Sequence, residues 1–145
     1  MESVSMSEPE REEFLAAVHV GILAVERKGR APLAVPIWYG YEPGGLVDIL
    51  ISPDSLKAKL LAKAGRFSLC VQVEQVPYRY VMVEGPIVET RQCDIENDAR
   101  VMARRYLGKD LGDAYIEDEY VDDSSMIVVS MRPDVWYSVD YGKAG

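Results

Sequence analysis

Three short runs, Val20-Gly-Ile-Leu-Ala-Val25, Leu33-Ala-Val-Pro-Ile-Trp-Tyr-Gly-Tyr41 and Leu46-Val-Asp-Ile-Leu-Ile-Ser52, have the β-branched and aromatic content of strands. Arg27-Lys-Gly-Arg30 separates the first two and Pro43-Gly-Gly45 the second two, each a tight-turn sequence. The reading is a three-stranded antiparallel meander, and the rest of the chain is arranged around that sheet.

Upstream, Ser7-Glu-Pro-Glu10 has capping-box spacing with proline in the first turn, which predicts a short helix to about Ala17 with Phe14, Leu15 and Val18 inward. It would act as a lid on the core. Downstream, Pro53-Asp54-Ser55 opens a helix running to about Lys63, and Phe67 to Val73 reads as a fourth strand. Tyr78 to Glu89 continues the sheet, with Tyr78, Tyr80, Met82 and Glu84 on one face and Arg79, Val81, Val83 and Gly85 on the other. Gly85-Pro86 marks a bulge or bend where a barrel turns a corner.

Asp94 is the expected N-cap of a helix to Leu107, with Ile95, Ala99, Met102, Ala103 and Tyr106 as its apolar stripe and Gly108 as its stop. Asp110 to Asp123 carries seven carboxylates and no basic residue, so it is expected to be mostly solvated, with a short helix at most. The chain closes with Met126 to Met131, an Arg132-Pro133-Asp134 turn and Val135 to Tyr141, read as a final hairpin. The fold class is mainly β: about six or seven antiparallel strands with three to four helices, closing into a barrel because closure removes exposed edges.

The length of 145 residues suits one domain spanning 1–145. A net charge of −8 and a pI near 4.7 argue against a nucleic-acid or anionic-membrane partner, since both need a broad basic face. The opening residues have neither a basic nor an apolar signal region and no later run approaches spanning length, so a cytoplasmic location is expected. Cys70 and Cys93 form no Cys-x-x-Cys pair and His19 is the single histidine, which leaves no basis for a zinc site or structural disulfide.

Against that acidity stands a basic island. Lys57, Lys59, Lys63 and Arg66 follow one another with no carboxylate anywhere from Ser55 to Val73. Ser52 ends a strand, Ser55 opens a helix, and free backbone N–H groups meet lysines at that N-terminus, where an anion such as phosphate is favoured. The competing reading is a solvated helix face, on which lysines are common. Val35-Pro36-Ile37-Trp38 is the second feature, because a proline inside a strand forfeits a ladder hydrogen bond. Either this is an edge strand, or a flat aromatic ligand lies against it, with Trp38 packing on the ring or filling the core.

No nucleophile or acid–base constellation accompanies these features: His19 has no serine or cysteine motif near it, and the acidic run lacks the spacing and glycine of a calcium loop. No catalytic side chain and no metal site are assigned. An anion site beside a ring-sized apolar wall suits a redox cofactor that brings its own chemistry.

Taken in order, Val20 to Val25, Arg30-Ala-Pro-Leu-Ala-Val-Pro-Ile-Trp-Tyr39, Ile51-Ser-Pro-Asp-Ser-Leu-Lys-Ala-Lys-Leu-Leu61, Tyr80-Val-Met-Val-Glu-Gly-Pro86 and Val135-Trp-Tyr137 resemble the pyridoxamine 5′-phosphate oxidase-like split β-barrel proteins. Within them the chain looks like the flavin/deazaflavin oxidoreductase branch, many of whose members use coenzyme F420. The resemblance implies an FMN-binding-like split barrel and a homodimer with two cofactor sites at the subunit interface. The tricyclic ring would lie against Val35, Pro36, Ile37 and Trp38, with Ser52, Ser55, Lys57 and Lys59 on the phosphate and acidic tail. Tyr78, Tyr80 and Trp136 would complete the pocket, from the partner subunit. Residues 47–51 carry Asp48 and no arginine, unlike a true pyridoxamine phosphate oxidase, which points away from vitamin B6 oxidation. Leu56 stands where several related proteins have a basic or small residue.

The expected function is therefore an F420-dependent reductase passing a hydride to a small conjugated molecule, with Tyr78 or a water as proton source. Alternatives are FMN-dependent oxidoreduction on the same barrel, or non-catalytic binding of a flavin, deazaflavin or haem-type ring.

Overall fold

The computed structural model describes residues 3–120 and 125–144. Its elements in chain order are α1 (Glu8–Ala16), β1 (Gly21–Arg27), β2 (Arg30–Ile37), β3 (Val47–Ile51), α2 (Leu56–Ala64), β4 (Arg66–Val73), β5 (Arg79–Gln92), a π-helical turn (Ile95–Ala99), α3 (Arg100–Leu107), α4 (Lys109–Glu119), β6 (Ile127–Met131), β7 (Val135–Asp140) and a closing 3₁₀ turn (Tyr141–Ala144). The strands form one antiparallel sheet in the order β2-β1-β4-β5-β6-β3, with β7 also on β5.

The β1–β2 hairpin forms as expected, but the meander does not continue. β3 pairs along its whole length with β6, and it meets the extension of β2 through one bridge, Gly40 with Asp48, both N–H···O distances 2.9 Å. The residues between β2 and β3 explain the change: Tyr39 and Tyr41 are buried, so the chain dips into the core instead of reversing tightly. That single bridge joins the two ends of the sheet and closes the barrel.

The expected final hairpin is also replaced. β6 and β7 do not pair with each other; both run antiparallel to β5, β7 on Arg79–Glu84 and β6 on Ile87–Gln92. They form one long strand interrupted at Arg132–Asp134, held across the break by Arg132 N–H to Pro86 O and Asp134 N–H to Glu84 O, each 3.0 Å. Gly85 lies at this crossing, and the register shift that bends β5 falls just beyond it, between Ile87 and Glu89.

Cross-strand ranks show how the pleat divides the side chains. Val35, Leu23, Leu69, Val83 and Trp136 stand side by side on β2, β1, β4, β5 and β7 and face the barrel interior. The next rank, Pro36, Ile22, Cys70, Met82 and Tyr137, faces outward across the same five strands. None of these five is buried, and Ile22 and Tyr137 are 41% and 57% exposed. An antiparallel sheet normally presents polar residues on its solvent face; this rank is apolar, between ranks that carry Ser68 and Glu84 on one side and Gln72 on the other.

α1 closes one end of the barrel with Phe14 and Leu15, and its capping box is complete; Val18, expected inward, lies beyond the helix and is exposed. The helix expected to begin at Asp94 does so as a π turn, where the Asp98 and Ala99 N–H groups both reach Asp94 O, and then becomes α3. The acidic segment is not a loop: Lys109–Glu119 is a helix with Gly112 and Ile116 buried. Asp113 is the reason the charge is tolerated there, since Arg100 and Arg104 reach it from α3 at 2.8 Å. Asp122 and Asp123 lie outside the described residues.

These ion pairs set an acid limit to stability. Asp113, beside Arg104 and Arg100, sits well below the usual carboxylate range, and hydrogen bonds from Lys143 and Ser7 bring Glu10 down to about 2. A depressed native pKa means the unfolded chain takes up protons first, so these contributions are intact above the ordinary carboxylate pKa and fade as pH falls through the native one. Thermal melts should lose stability progressively between about pH 4.5 and about 2. The mutant Glu10→Gln with Asp113→Asn should show a flatter profile over that window, and an unchanged slope would refute the assignment.

Candidate functional site

α2 forms where expected and its start is built by two serines. The Ser55 hydroxyl donates to Ser52 O at 2.7 Å and accepts from the Ala58 N–H at 3.1 Å, which makes Ser55 the N-cap and commits its hydroxyl to the helix. Ser52 Oγ accepts from the Asp54 N–H at 3.4 Å and keeps its own proton to donate. The Leu56 and Lys57 N–H groups find no acceptor among the described residues. Lys57, Lys59 and Lys63 have no carboxylate within 4.0 Å among those residues either. Arg66, grouped with them in sequence, lies past the left-handed cap Gly65 at the start of β4 and faces Glu26 at 4.0 Å.

The second half of the expected site lies on β2. This strand is at the edge of the sheet, which is where proline is tolerated, and Pro36 is exposed on it. Val35 points inward, Ile37 is buried, and Trp38 just beyond the strand stacks on Tyr106 with ring centres 4.7 Å apart and planes 4° from parallel. Tyr106 is itself held firmly: its hydroxyl donates to His19 O at 2.6 Å and accepts from the Tyr39 N–H at 3.0 Å. Arg105 ties the same helix to the end of α1, reaching Ala16 O and Ala17 O at 3.1 and 3.0 Å.

A cavity lies beside the β2 half of the expected site. Ile37 and Trp38 line it with Leu50, Met102, Tyr115 and Tyr120; it occupies about 200 Å³ between the end of β2, the end of β3 and the α3–α4 pair. Ser52 and α2 follow directly from that end of β3. Tyr115 and Tyr120 are the residues that sequence reasoning missed, because they sit in the segment read as solvated. Gly112, Ile116 and Tyr120 recur at spacing four there, which is the helical signal the charge count obscured.

The remaining aromatic residues are distributed over both faces of the sheet. Tyr80 faces outward and stacks near Tyr137 with centroids 6.0 Å apart. Tyr78 precedes β5 and is exposed. Trp136 faces inward, donates from Nε1 to Pro133 O at 3.2 Å and lies under the Arg11 guanidinium, 4.7 Å from the ring centre. Trp136 is therefore on the opposite face of the sheet from Tyr80. His19 stacks on Phe14 and hydrogen-bonds Phe14 O at 3.0 Å; burial holds its pKa below the ordinary value, so it is a neutral structural group.

No family model and no curated protein matches the sequence. Solved structures do resemble the fold. A conserved hypothetical protein of Mycobacterium tuberculosis superposes with a TM-score of 0.81 at 21% identity, covering 100% of this chain and 91% of that one. An F420 reductase superposes at 0.62 with 19% identity, over 87% of this chain and 94% of that one. A FAD-binding protein of Mesorhizobium loti does so at 0.62 with 16% identity, over 92% and 93%. At these identities the likeness is one of fold, and the architecture is the split β-barrel.

Proposed function

We propose that this chain is a flavin/deazaflavin oxidoreductase that uses coenzyme F420, working as a homodimer with its cofactor sites at the subunit interface. The observation that carries the reading is the start of α2. The first turns of α2 carry two N–H groups without acceptors and two lysines without carboxylate partners among the described residues, next to the Ser52 hydroxyl, in a protein of net charge −8. That donor set fits the anionic end of a phosphate-bearing cofactor. The fold shared with an F420 reductase supports the same choice.

Lys57 and Lys59 would hold the phosphate and acidic tail, with Ser52 donating a hydrogen bond and Ser55 fixing the helix start. Val35, Pro36 and Ile37 would offer the edge of β2 to the ring, and the stacked pair Trp38–Tyr106 would keep that wall rigid. These residues would hold and orient the ring, and the chemistry a reduced deazaflavin would supply there is a hydride for a small conjugated substrate. The exposed Tyr78 and the half-buried, outward-facing Tyr80 would complete the pocket of the partner subunit, with Tyr78 as proton donor. Trp136 would support it from beneath the sheet. The outward apolar rank on five strands supports self-association, since that face needs a cover.

Titration of the purified protein with F420 and with FMN, followed by fluorescence, tests the reading. F420 should bind more tightly than FMN, and reduced F420 should then turn over under anaerobic conditions against a panel of enones and quinones. Lys57→Ala should weaken F420 binding about tenfold or more, matching the roughly 1.5–3 kcal/mol of a lost hydrogen bond to a charged group. Binding of neither cofactor would sink the proposal. The FAD-binding neighbour favours one second reading, a flavin in the same site, which tighter binding of FMN than of F420 in the same titration would reveal.

A further inference from the structure

Between α1 and the paired ends of β5 and β7 lies a cavity of about 340 Å³, at the small end of ligand clefts. A spacing of three and four puts Glu10, Glu13, Phe14 and Ala17 on one face of α1, and all four line it. From the sheet come Arg79 and Asp140, which stand directly opposite each other in the β5–β7 ladder. The pleat turns Arg79 inward, onto Phe14, and its neighbour Tyr80 outward, onto Tyr137. The cavity therefore shares no residue with the candidate cofactor site.

An arginine directly across a ladder from an aspartate is placed to form an ion pair. These two do not form one. Among the described residues neither Arg79, Asp140 nor Glu13 has an oppositely charged group within 4.0 Å. The Arg79 guanidinium lies over the Phe14 ring, 5.1 Å from its centre, while Asp140 accepts the Gly142 N–H on Oδ1 at 2.8 Å. Glu10 is already engaged by Lys143 at 2.6 Å. His19, hydrogen-bonded to Phe14 O, adds a neutral ring to the wall, and Met6 and Phe14 supply a buried apolar floor. One cavity thus presents a guanidinium and two carboxylates that are held apart from it.

A simple anion entering here would meet Glu13 and Asp140, and a simple cation would meet Arg79. A dipolar molecule suits both. We infer that this cavity binds a free α-amino acid with an apolar side chain, its carboxylate on Arg79, its ammonium facing Glu13 and Asp140, and its side chain against Met6 and Phe14. Arginine fits the carboxylate end because its planar fork meets two oxygens at once. Neither charge has to give up an ion pair to receive the ligand. The site stands whether or not the protein carries a cofactor at α2.

His19 is the single histidine of the chain, so its ring protons are a distinct NMR reporter on the cavity wall. Titration with L-leucine should shift them saturably at millimolar concentration or below. N-Acetyl-L-leucine, which lacks the ammonium, and 3-methylbutylamine, which lacks the carboxylate, should each bind about tenfold more weakly or worse. Arg79→Gln and Glu13→Gln should each weaken L-leucine about fivefold or more with the melting transition retained, and Arg30→Gln on the β1–β2 turn should leave it within about twofold. The absence of a saturable shift, equal binding of either leucine analogue, or indifference to either substitution in the cavity would each overturn the inference. Because no cofactor is present in the titration, failure of the F420 reading leaves this result standing, and the converse holds too.

Discussion

Gly85→Ala should cost about 3 kcal/mol or more of a total stability of about 5–15 kcal/mol, and should leave little cooperatively folded protein at 37 °C. A β-carbon at this position would lie 1.7 Å from the Arg132 carbonyl oxygen, 2.8 Å from its carbon and 3.2 Å from the Asp134 nitrogen. All three atoms are backbone, so no side-chain rotation relieves the clash. The flanking hydrogen bonds, Arg132 N–H to Pro86 O and Asp134 N–H to Glu84 O, hold the crossing strand in place. Relief would mean breaking the junction of β5 with β6 and β7. Gly29→Ala is the proper comparison, since its φ of +74° is unfavourable for alanine but nothing lies within 4 Å; it should lose only about 1–2 kcal/mol. Urea denaturation of the two variants measures the difference. Near-equal midpoints would mean that the crossing is far softer than its geometry implies.

The second large effect concerns the outward rank. If the proposed homodimer pairs through this rank, Ile22→Glu with Tyr137→Glu should leave a monomer, because carboxylates placed on strands β1 and β7 would have to be desolvated against a copy of themselves. Both side chains are already exposed on the single chain, so its melting transition should change little. Light scattering reads the mass directly, and F420 affinity should fall with it if the partner subunit completes the pocket. A wild-type protein that is monomeric at micromolar concentration would remove the premise. A variant that is monomeric yet binds F420 normally would place the whole site within one chain.

Much of the architecture is legible in local chemistry. The β1–β2 hairpin, the α1 capping box, the α2 cap at Ser55 and the inward and outward alternation of β5 all rest on signals within a few residues of one another. What local chemistry misreads is pairing across distance. Leu46 to Ser52 is plainly a strand, yet nothing in it says that its partner is Ile127–Met131 rather than its sequence neighbour. Arg132-Pro133-Asp134 looks like a hairpin turn and is instead an interruption in a strand that keeps its direction. The acidic segment fails for a different reason: its carboxylates are counted before their partners are known, and Arg100 and Arg104 lie on another helix. At the candidate site the lysines and serines of α2 stand out by type and spacing. The wall shared by Arg79 and Asp140 does not, because only the β5–β7 register brings them together.

The broken strand also fixes an order of events. β1, β2 and β4 can zip together from neighbouring or nearby segments, but Val47 must wait for Met131, more than half the chain away. Until residues 127–140 are available, β3 has no ladder partner and β5 presents one open edge along its full length. Loop-closure entropy makes such late pairing slow, and an open edge is a template for intermolecular strands. Refolding should therefore show a fast hairpin phase and a slower closure, with aggregation competing during the interval between them. On the ribosome, β3 is made long before β6, the strand whose pairing joins it to the sheet.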